Sequence, residues 1–315
     1  MTSAAATALA LSAGRRIGSA QTLTPMQAST GVTIGARSAV YAVQSGIFKK
    51  FGLDVELNKA GAGGGSPLSA LIGGSFQVDY VNTVSLVQAV TQGIPLEIIA
   101  PGAMYYSEKP YALLFVRKDS TIKTGRDLDG KITASQSLKD INALTTAAWI
   151  DANGGDSKST HGVELPNSAQ MPALDEGRID AMSLVPPFQT AAVQSGKYRV
   201  LGKPYDAIAK KFQIAVWAST ADWAGKNPDV AKRFAAAMRE SSAFCNANPA
   251  KIQDLVAQFT GIDPAIIAIS PGPQDPPYIT SADIQPVIDA AFKYGFVPKA
   301  FNADDVIGPS VRPPA

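Results

Sequence analysis

The stretch from residue 32 to residue 56 constrains the fold more than any other part of the chain. Its sequence, VTIGARSAVYAVQSGIFKKFGLDVE, predicts a short apolar strand (VTIG), a polar turn, a brief helix and a second strand. Ser38 is expected to cap the helix, and Gly46 and Gly52 to frame a helix end that leads into the second strand. In open α/β sheets, small molecules bind beyond the carboxyl ends of the strands. The turn at Arg37 and Ser38 is therefore predicted to border a ligand site.

Length and composition favour a globular protein of two domains. The 315 residues are enough for two cores, and 46% hydrophobic with 17% charged residues is unlike a disordered chain. The formal net charge is only +2, and no block of lysines and arginines is interleaved with aromatic residues. Nucleic acid is therefore not an expected partner.

The remaining pattern alternates strands with helices. The segments FQVDYV and IPLEIIA read as strands on either side of a helix, TVSLVQAVTQG, capped by Asn82 or Thr83. A second α/β unit follows from TGRDLDGKITASQS, with a helix over 141–152. The strand FQIAVWAST is expected to carry the chain back, and residues 221–300 are predicted to be mainly helical.

Four segments in this order carry a family resemblance. They are the opening stretch, ALIGGSFQVDYVN (70–82), ALLFVRKDSTIKTGRDLDGKI (112–132) and PALDEGRIDAMSLVPPF (172–188). Residues 31–220 thereby resemble the periplasmic solute-binding proteins of the nitrate, sulfonate, taurine and thiamine-pyrimidine group, which serve ABC importers. The resemblance implies an α/β type II periplasmic binding fold: two lobes, each a mixed sheet flanked by helices, joined by two hinge crossings.

The resemblance also implies domain limits and a compartment. Residues 31–113 with 218–315 are expected to form lobe one, and residues 114–217 lobe two. Residues 1–30 are expected to be a signal-sequence remnant or a disordered tail. An alanine-rich segment and Gly18-Ser19-Ala20 favour a clipped signal sequence, although Arg15 and Arg16 follow the apolar stretch instead of preceding it. The expected location is the periplasm.

The predicted ligand site consists of strand ends and helix starts, where backbone N–H groups and hydroxyls can hold an anion without a metal. Arg37 could add a bidentate grip on a carboxylate or sulfonate; the alternative is a solvated surface arginine that touches nothing. The candidate ligand-binding residues are Arg37, Ser38, Gly64, Gly65, Ser66, Asn82, Thr83, Tyr105, Ser135, Ser137, Lys139, Pro187 and Phe188.

Two departures from the family pattern bear on the ligand. Where relatives often have Gly-Ser-Ser or Gly-Ser-Thr, this chain has Ser137-Leu138-Lys139-Asp140. Lys139 could compensate by its charge, Leu138 could indicate a less polar ligand, or Asp140 could merely cap the helix.

The second departure replaces a Trp-Glu-Pro or Trp-Asp-Pro motif of relatives by Val185-Pro186-Pro187. Loss of that acid weakens the case for an amino-bearing ligand. Phe188, Tyr105 and Tyr106 could supply apolar walls for an aromatic or carboxylated compound. The two tyrosines are equally expected as packing residues between the lobes.

The sequence predicts no catalytic site, metal or cofactor. His161 is the one histidine and reads as a solvated loop residue, and Cys245 is the one cysteine and reads as a core residue. Thiamine-pyrimidine synthases share the implied fold but need a histidine and a cysteine-rich site that this chain cannot supply.

The expected function is a monomeric receptor that closes over a small organic, anionic ligand of the sulfonate or carboxylate class. It would deliver the ligand to an ABC importer permease in the inner membrane. The alternative is an enzyme or ligand-responsive regulator on the same scaffold.

Overall fold

A computed structural model describes residues 22–59 and 67–314 of the chain. The strands are β1 (Thr24–Thr30), β2 (Leu53–Lys59), β3 (Val78–Asn82), β4 (Leu96–Pro101), β5 (Met104–Tyr106), β6 (Leu113–Arg117), β7 (Ile132–Ser135), β8 (His161–Glu164), β9 (Ala181–Leu184), β10 (Tyr198–Gly202), β11 (Lys211–Gln213) and β12 (Ala215–Thr220). The helices are α1 (Arg37–Gln44), α2 (Ile47–Lys50), α3 (Pro67–Ile72), α4 (Thr83–Thr91), α5 (Ile141–Ala152), α6 (Asn167–Asp175), α7 (Phe188–Ser195), α8 (Ala221–Lys226), α9 (Pro228–Ala247), α10 (Gln253–Thr260), α11 (Pro264–Ile269) and α12 (Ser281–Lys293).

Two five-stranded sheets form the centres of two lobes. The first has the order β2-β1-β3-β12-β4, and the second β10-β6-β9-β7-β8. Strands β1, β2 and β3 run parallel, while β12 lies antiparallel between β3 and β4. In the second sheet β7 runs parallel to β8 and β9, and β6 antiparallel to β9 and β10. The predicted mixed sheets, one to a lobe, are confirmed.

Two short strands carry the chain between the lobes. Strands β5 and β11 pair antiparallel, with Phe212 opposite Tyr105. The predicted double crossing is thus present, but it lies at 104–106 and 211–213. Boundaries at 113/114 and 217/218 would cut β6 and β12, which belong to the sheets of lobe two and lobe one. A short apolar segment has the same sequence pattern whether it lies in a central strand or in a crossing strand. The sequence therefore could not locate the boundaries between the lobes.

The N-terminal prediction needs two corrections. The first strand is β1, inside the 1–30 range assigned to a tail, and its Met26 and Ala28 are buried in the lobe-one core. The segment VTIG is not a strand: Ile34–Ala36 form a 3-10 turn, in which the Thr33 hydroxyl accepts a hydrogen bond from the Gly35 N–H. Ser38 lies within α1 and does not cap it. The expected signal-sequence features, at residues 1–20, lie outside the described residues.

Several predicted elements are confirmed with their caps. Helix α4 follows Asn82, whose side-chain oxygen accepts from the Ser85 N–H at 2.9 Å. Helix α5 has the predicted bounds and is capped by Asp140. Cys245, near the end of α9, is fully buried.

The core of lobe one covers both faces of its sheet. One face packs around Phe48, Trp217 and Phe234, and the other around Leu86 and Ile98. Among the described residues, no helix combines the length and the apolar composition required to cross a bilayer.

Candidate ligand-binding site

A cleft of about 470 Å³ lies between the two lobes. Both lobes contribute to its wall, together with residues next to the crossing strands. The lining residues are Gly31, Thr33, Tyr80, Asn82, Ser85, Gln88, Ala103, Tyr111, Gln136, Ser137, Lys139, Asp140, Ile141, Asn142, Val185, Tyr205, Ile214 and Ala215. Among these described residues only Lys139 and Asp140 carry charge, so the cleft is mainly aromatic, amide and hydroxyl in character.

Strand β3 supplies the lobe-one wall. Its alternation places Tyr80 and Asn82 on the same side of the strand, and both line the cleft. The Tyr80 ring packs against Trp217, with 5.0 Å between ring centroids. Two glycines that lie against this ring in space, Gly35 and Gly102, leave room for it. A Cβ on Gly35 would lie 2.5 Å from Tyr80 Oη, and one on Gly102 would lie 2.8 Å from Tyr80 Cε2.

Two further tyrosines line the cleft, and both stay neutral at physiological pH. Burial raises the pKa of Tyr111 to about 12, although the Thr33 hydroxyl, within hydrogen-bonding reach, and Arg37 act in the opposite direction. Burial also raises the pKa of Tyr205 above its usual value. The Tyr205 hydroxyl donates to Asn142 Oδ1 at 2.9 Å. These rings therefore present apolar faces and fixed hydroxyls to a ligand.

Lobe two contributes the start of α5. Asp140 Oδ1 accepts from the Ala143 N–H at 2.8 Å, and Oδ2 accepts from the Ser137 N–H at 3.1 Å. Burial raises the pKa of the Asp140 carboxyl to about 6, although the backbone hydrogen bonds act in the opposite direction. The negatively charged Glu164 adds to the increase. The helix N-terminus is thus already occupied by a carboxyl group of the chain itself.

Lys139 joins the two lobes. Its carbonyl oxygen accepts from Gln88 Nε2 of α4 at 3.1 Å, and its Nζ lies 5.3 Å from the centroid of the Phe296 ring. A second contact between the lobes joins the hydroxyls of Thr190 and Ser270, 2.9 Å apart. The lobes therefore touch at sites other than the crossing strands.

Three of the predicted site residues, Asn82, Ser137 and Lys139, line the cleft. That they bind a ligand stays a prediction. Gly64, Gly65 and Ser66 lie outside the described residues.

Arg37 and Ser38 do not line the cleft, which corrects the prediction for both. Arg37 is 4% exposed; its Nε lies 3.5 Å from Asp275 Oδ2, and its Nη2 donates to Asn246 Oδ1 at 2.7 Å. The Ser38 hydroxyl donates to Asp275 as well. Neither proposed role for Arg37, the ligand grip or the solvated surface residue, fits this buried pair. Its partner lies 238 residues away in the sequence, so local pattern could not reveal it.

Four other predicted residues serve the framework. The buried Thr83 hydroxyl donates to the Gln213 carbonyl at 2.6 Å, and Ser135 is buried at the end of β7. Phe188, which follows Pro187 at the start of α7, packs against the core of lobe two. At this turn it is Val185 that lines the cleft.

Tyr105 packs between the lobes, the second of its two expected roles. It is fully buried against Tyr205 and Phe212, and its hydroxyl donates to Asp206 Oδ1 at 2.7 Å.

Sequence reasoning missed Tyr80, Tyr111, Tyr205, Gln88 and Asn142 as lining residues. Tyr80 could have been predicted from the sequence, because it precedes Asn82 by two residues on one strand and its side chain therefore points to the same face. So could Asn142, as the second residue of a predicted helix. Nothing local distinguished Tyr111 or Tyr205, which the fold brings in from the segments beside the crossing.

A family model described as "NMT1/THI5 like" matches residues 37–252. Among curated proteins, none shows a significant match to the chain. Similar solved structures include the periplasmic aliphatic sulphonate binding protein SsuA from Escherichia coli, at 20% identity and a TM-score of 0.76, covering 91% of this chain and 98% of that one. The periplasmic nitrate-binding protein NrtA from Synechocystis PCC 6803 has 14% identity and a TM-score of 0.69, with 90% and 86% covered. The desulfurization enzyme DszB has 12% identity and a TM-score of 0.66, with 91% and 96% covered. These similarities show the two-lobe fold.

Proposed function

Because the chain belongs to the NMT1/THI5-like family, we propose that it is a periplasmic solute-binding receptor of an ABC importer. It closes two lobes over a small organic solute and passes that solute to a permease in the inner membrane. The protein acts as a monomer, and catalysis is not part of this function.

The observation that carries the proposal is the cleft of about 470 Å³ between two lobes that the paired strands β5 and β11 connect. A solute that contacts both walls at once binds the closed arrangement better than the open one, and thereby shifts the population toward closure. The volume lies in the range of small-molecule pockets. The binding functions of the similarly folded SsuA and NrtA support the same proposal.

The sulfonate or carboxylate class expected from the sequence has partial support in the cleft. Arg37, which was expected to add a bidentate grip on the anion, is paired with Asp275 outside the cleft. Lys139 is therefore the one cationic side chain among the described lining residues. A panel of candidate ligands should therefore contain sulfonates, carboxylates and nitrate as one group, beside neutral and cationic compounds.

The test is thermal unfolding of the protein with each compound of the panel, because a ligand that binds only the folded state raises the melting temperature. At least one class is expected to raise it, and Ser85→Trp, which fills the cleft from α4, is expected to abolish the shift. Gln92→Trp places the same side chain at the exposed C-terminal end of the same helix and serves as the matched control.

Chemical analysis of the recovered compound separates the receptor from the alternative. A receptor returns the compound unchanged, whereas its conversion would support an enzyme, a function that DszB has on a similar fold. The absence of any shift across the panel would contradict the receptor proposal.

A further inference from the structure

The carboxyl group of Asp140 is the feature of the cleft that least suits a purely anionic ligand. On α5 the first backbone N–H groups face the cavity side, where an anion could bind to a free helix N-terminus. Here the backbone N–H groups of Ser137 and Ala143 bond to the Asp140 carboxyl group instead. An incoming anion would have to displace this cap or approach its negative charge.

The capping bonds do not use all of the acceptor capacity of Asp140. A carboxylate offers about four lone-pair positions, and the two backbone N–H groups of Ser137 and Ala143 occupy two of them. Asp140 also lines the cavity wall, where a bound solute can reach its carboxyl group.

The charges around Asp140 do not neutralise it. Glu164, at the end of the neighbouring β8, adds negative charge, and its Oε1 accepts from the Leu138 N–H at 2.9 Å. Lys139 holds its ammonium over the Phe296 ring, and Tyr205 faces Asp140 as a neutral phenol. The carboxyl group therefore lacks a cationic partner within the described part of the chain.

On the basis of the receptor function proposed above, we propose that the solute presents a cationic nitrogen group, an ammonium, an amidinium or a protonated ring nitrogen, to Asp140. Asp140 supplies a carboxylate to the cleft at the start of α5. The tyrosine rings at Tyr80, Tyr111 and Tyr205 add π faces that favour the same charge.

The sign of the pH dependence distinguishes the two ligand classes. With its pKa raised to about 6, Asp140 gains its charge as the pH rises through that value. A cation then binds more tightly, by about tenfold per pH unit at most below the pKa. An anion binds more weakly over the same interval, because the same ionisation repels it.

The experiment compares three probes of one shape: benzamidine, benzamide and benzoate. Their shifts in melting temperature are measured at about pH 5 and about pH 7.5, on either side of the raised pKa. Benzamidine is expected to give the largest shift, and a larger one at the higher pH. Asp140→Asn is expected to lower benzamidine affinity by about tenfold or more, as for a lost charge pair in a desolvated site.

Three variants make the comparison specific. Asparagine is as good an N-cap as aspartate, so Asp140→Asn retains the helix start; Asp140→Ser gives a second capping variant. Asp127→Asn is the matched control, because Asp127 accepts from the Lys123 and Thr124 N–H groups on the surface of the same lobe. It is expected to leave the benzamidine shift unchanged.

The outcomes separate this inference from the receptor function. A benzoate shift that Ser85→Trp abolishes, with no benzamidine shift, would overturn the role of Asp140 and leave the receptor intact. A benzamidine shift that survives Asp140→Asn would also overturn it. No shift with these probes or with any compound of the wider panel contradicts both proposals.

Discussion

At the scale of single residues, the position of the Tyr80 ring in the cleft depends on two glycines, Gly35 and Gly102, because any side chain at either position would occupy the space of the ring. Gly35 and Gly102 both approach the Tyr80 ring so closely that a Cβ at either position would collide with it. A Cβ at Gly102 would also lie 2.5 Å from the Ala215 carbonyl oxygen, which cannot move aside without disturbing β12. Gly35 is the position where a substitution affects mainly the tyrosine.

Replacing Gly35 by alanine is expected to displace the Tyr80 ring. Overpacking of this kind costs about 1–3 kcal/mol of stability and should weaken solute binding as well, since Tyr80 forms part of the wall. Urea unfolding and titration with the solute identified by the panel measure the two effects.

Gly225→Ala is the control for the Gly35 substitution. Gly225 lies in α8 with no atom within 4 Å of the added Cβ, so this change should stabilise the protein by about 0.5–1 kcal/mol and leave binding intact. Equal effects of the two substitutions would show that the close approach to Tyr80 has no consequence.

The candidate residues found from the sequence were those marked by local chemistry. Asn82 precedes a helix and Ser137 and Lys139 lie in a polar turn before one, so their types and places indicated the cleft. Arg37 showed the same local marks, yet its environment is set by Asp275 from the other end of the chain. Charge pairing between distant segments is a property of the fold, which explains why the same reasoning failed there.

At the scale of elements, hydrogen bonds among Arg37, Asn246 and Asp275, here called the Arg37 network, connect three segments of lobe one. Arg37 at the start of α1 donates to Asn246 at the end of α9, and the Asn246 side chain donates to the Asp275 carbonyl at 2.8 Å. The segment that carries Asp275 also reaches the crossing, because the Met104 N–H of β5 donates to the Gln274 carbonyl at 2.8 Å. The network thus stabilises lobe one next to the hinge, and the hydrogen bonds of the Arg37 side chain go to Asp275, Asn246 and the Pro273 carbonyl.

Arg37→Met is expected to lower the free energy of unfolding by about 3–5 kcal/mol, because it leaves the Asp275 carboxylate buried without its partner. The double variant Arg37→Met/Asp275→Asn should recover part of that loss. Denaturant unfolding measures both variants.

An exposed ion pair provides the comparison for Arg37. Arg117→Met, which breaks the surface pair with Asp119, should lower the stability far less than Arg37→Met, because both partners are solvated and their attraction is screened. Solute affinity of the folded Arg37→Met protein is expected to stay close to that of the unchanged protein. A selective loss of affinity with normal stability would instead restore Arg37 as a ligand residue.

Helices could be predicted from the sequence where a cap and an apolar period coincide, as in α4, α5 and α12. The segment VTIG misled because β-branched residues favour strands, whereas the Thr33 hydroxyl binds the following backbone and turns it into a 3-10 helix. Strand β1 was missed because TPMQAST alternates polar and apolar residues too weakly to mark a strand.

At the scale of the whole molecule, the lobes also meet through contacts outside the two crossing strands. The hydroxyls of Thr190 on α7 and of Ser270 after α11 lie 2.9 Å apart, so cysteine thiols at these two positions would face each other. The native Cys245 is fully buried, and burial raises the pKa of its thiol to about 11, so it stays unreactive.

The double variant Thr190→Cys/Ser270→Cys is therefore expected to form one disulfide that locks the lobes together. Solute exchange should slow by about tenfold or more in the oxidised protein and recover on reduction, since opening then proceeds as before. Release of the bound solute after dilution measures this. The two single-cysteine variants are the controls, and exchange at an unchanged rate in the oxidised double variant would show that the solute leaves without separation of the lobes.

The pairing of β5 with β11 limits how the lobes can move. Three residue pairs join these strands, from Lys211 opposite Tyr106 to Gln213 opposite Met104, so twisting one strand alone would break backbone hydrogen bonds. A bend of the two strands together keeps their pairing intact, which favours a hinge motion of the lobes about this ribbon. In such a motion the hinge angle determines how the outer surfaces of the two lobes are arranged relative to each other. A protein that contacted both lobes at once would therefore meet a different composite surface at each hinge angle.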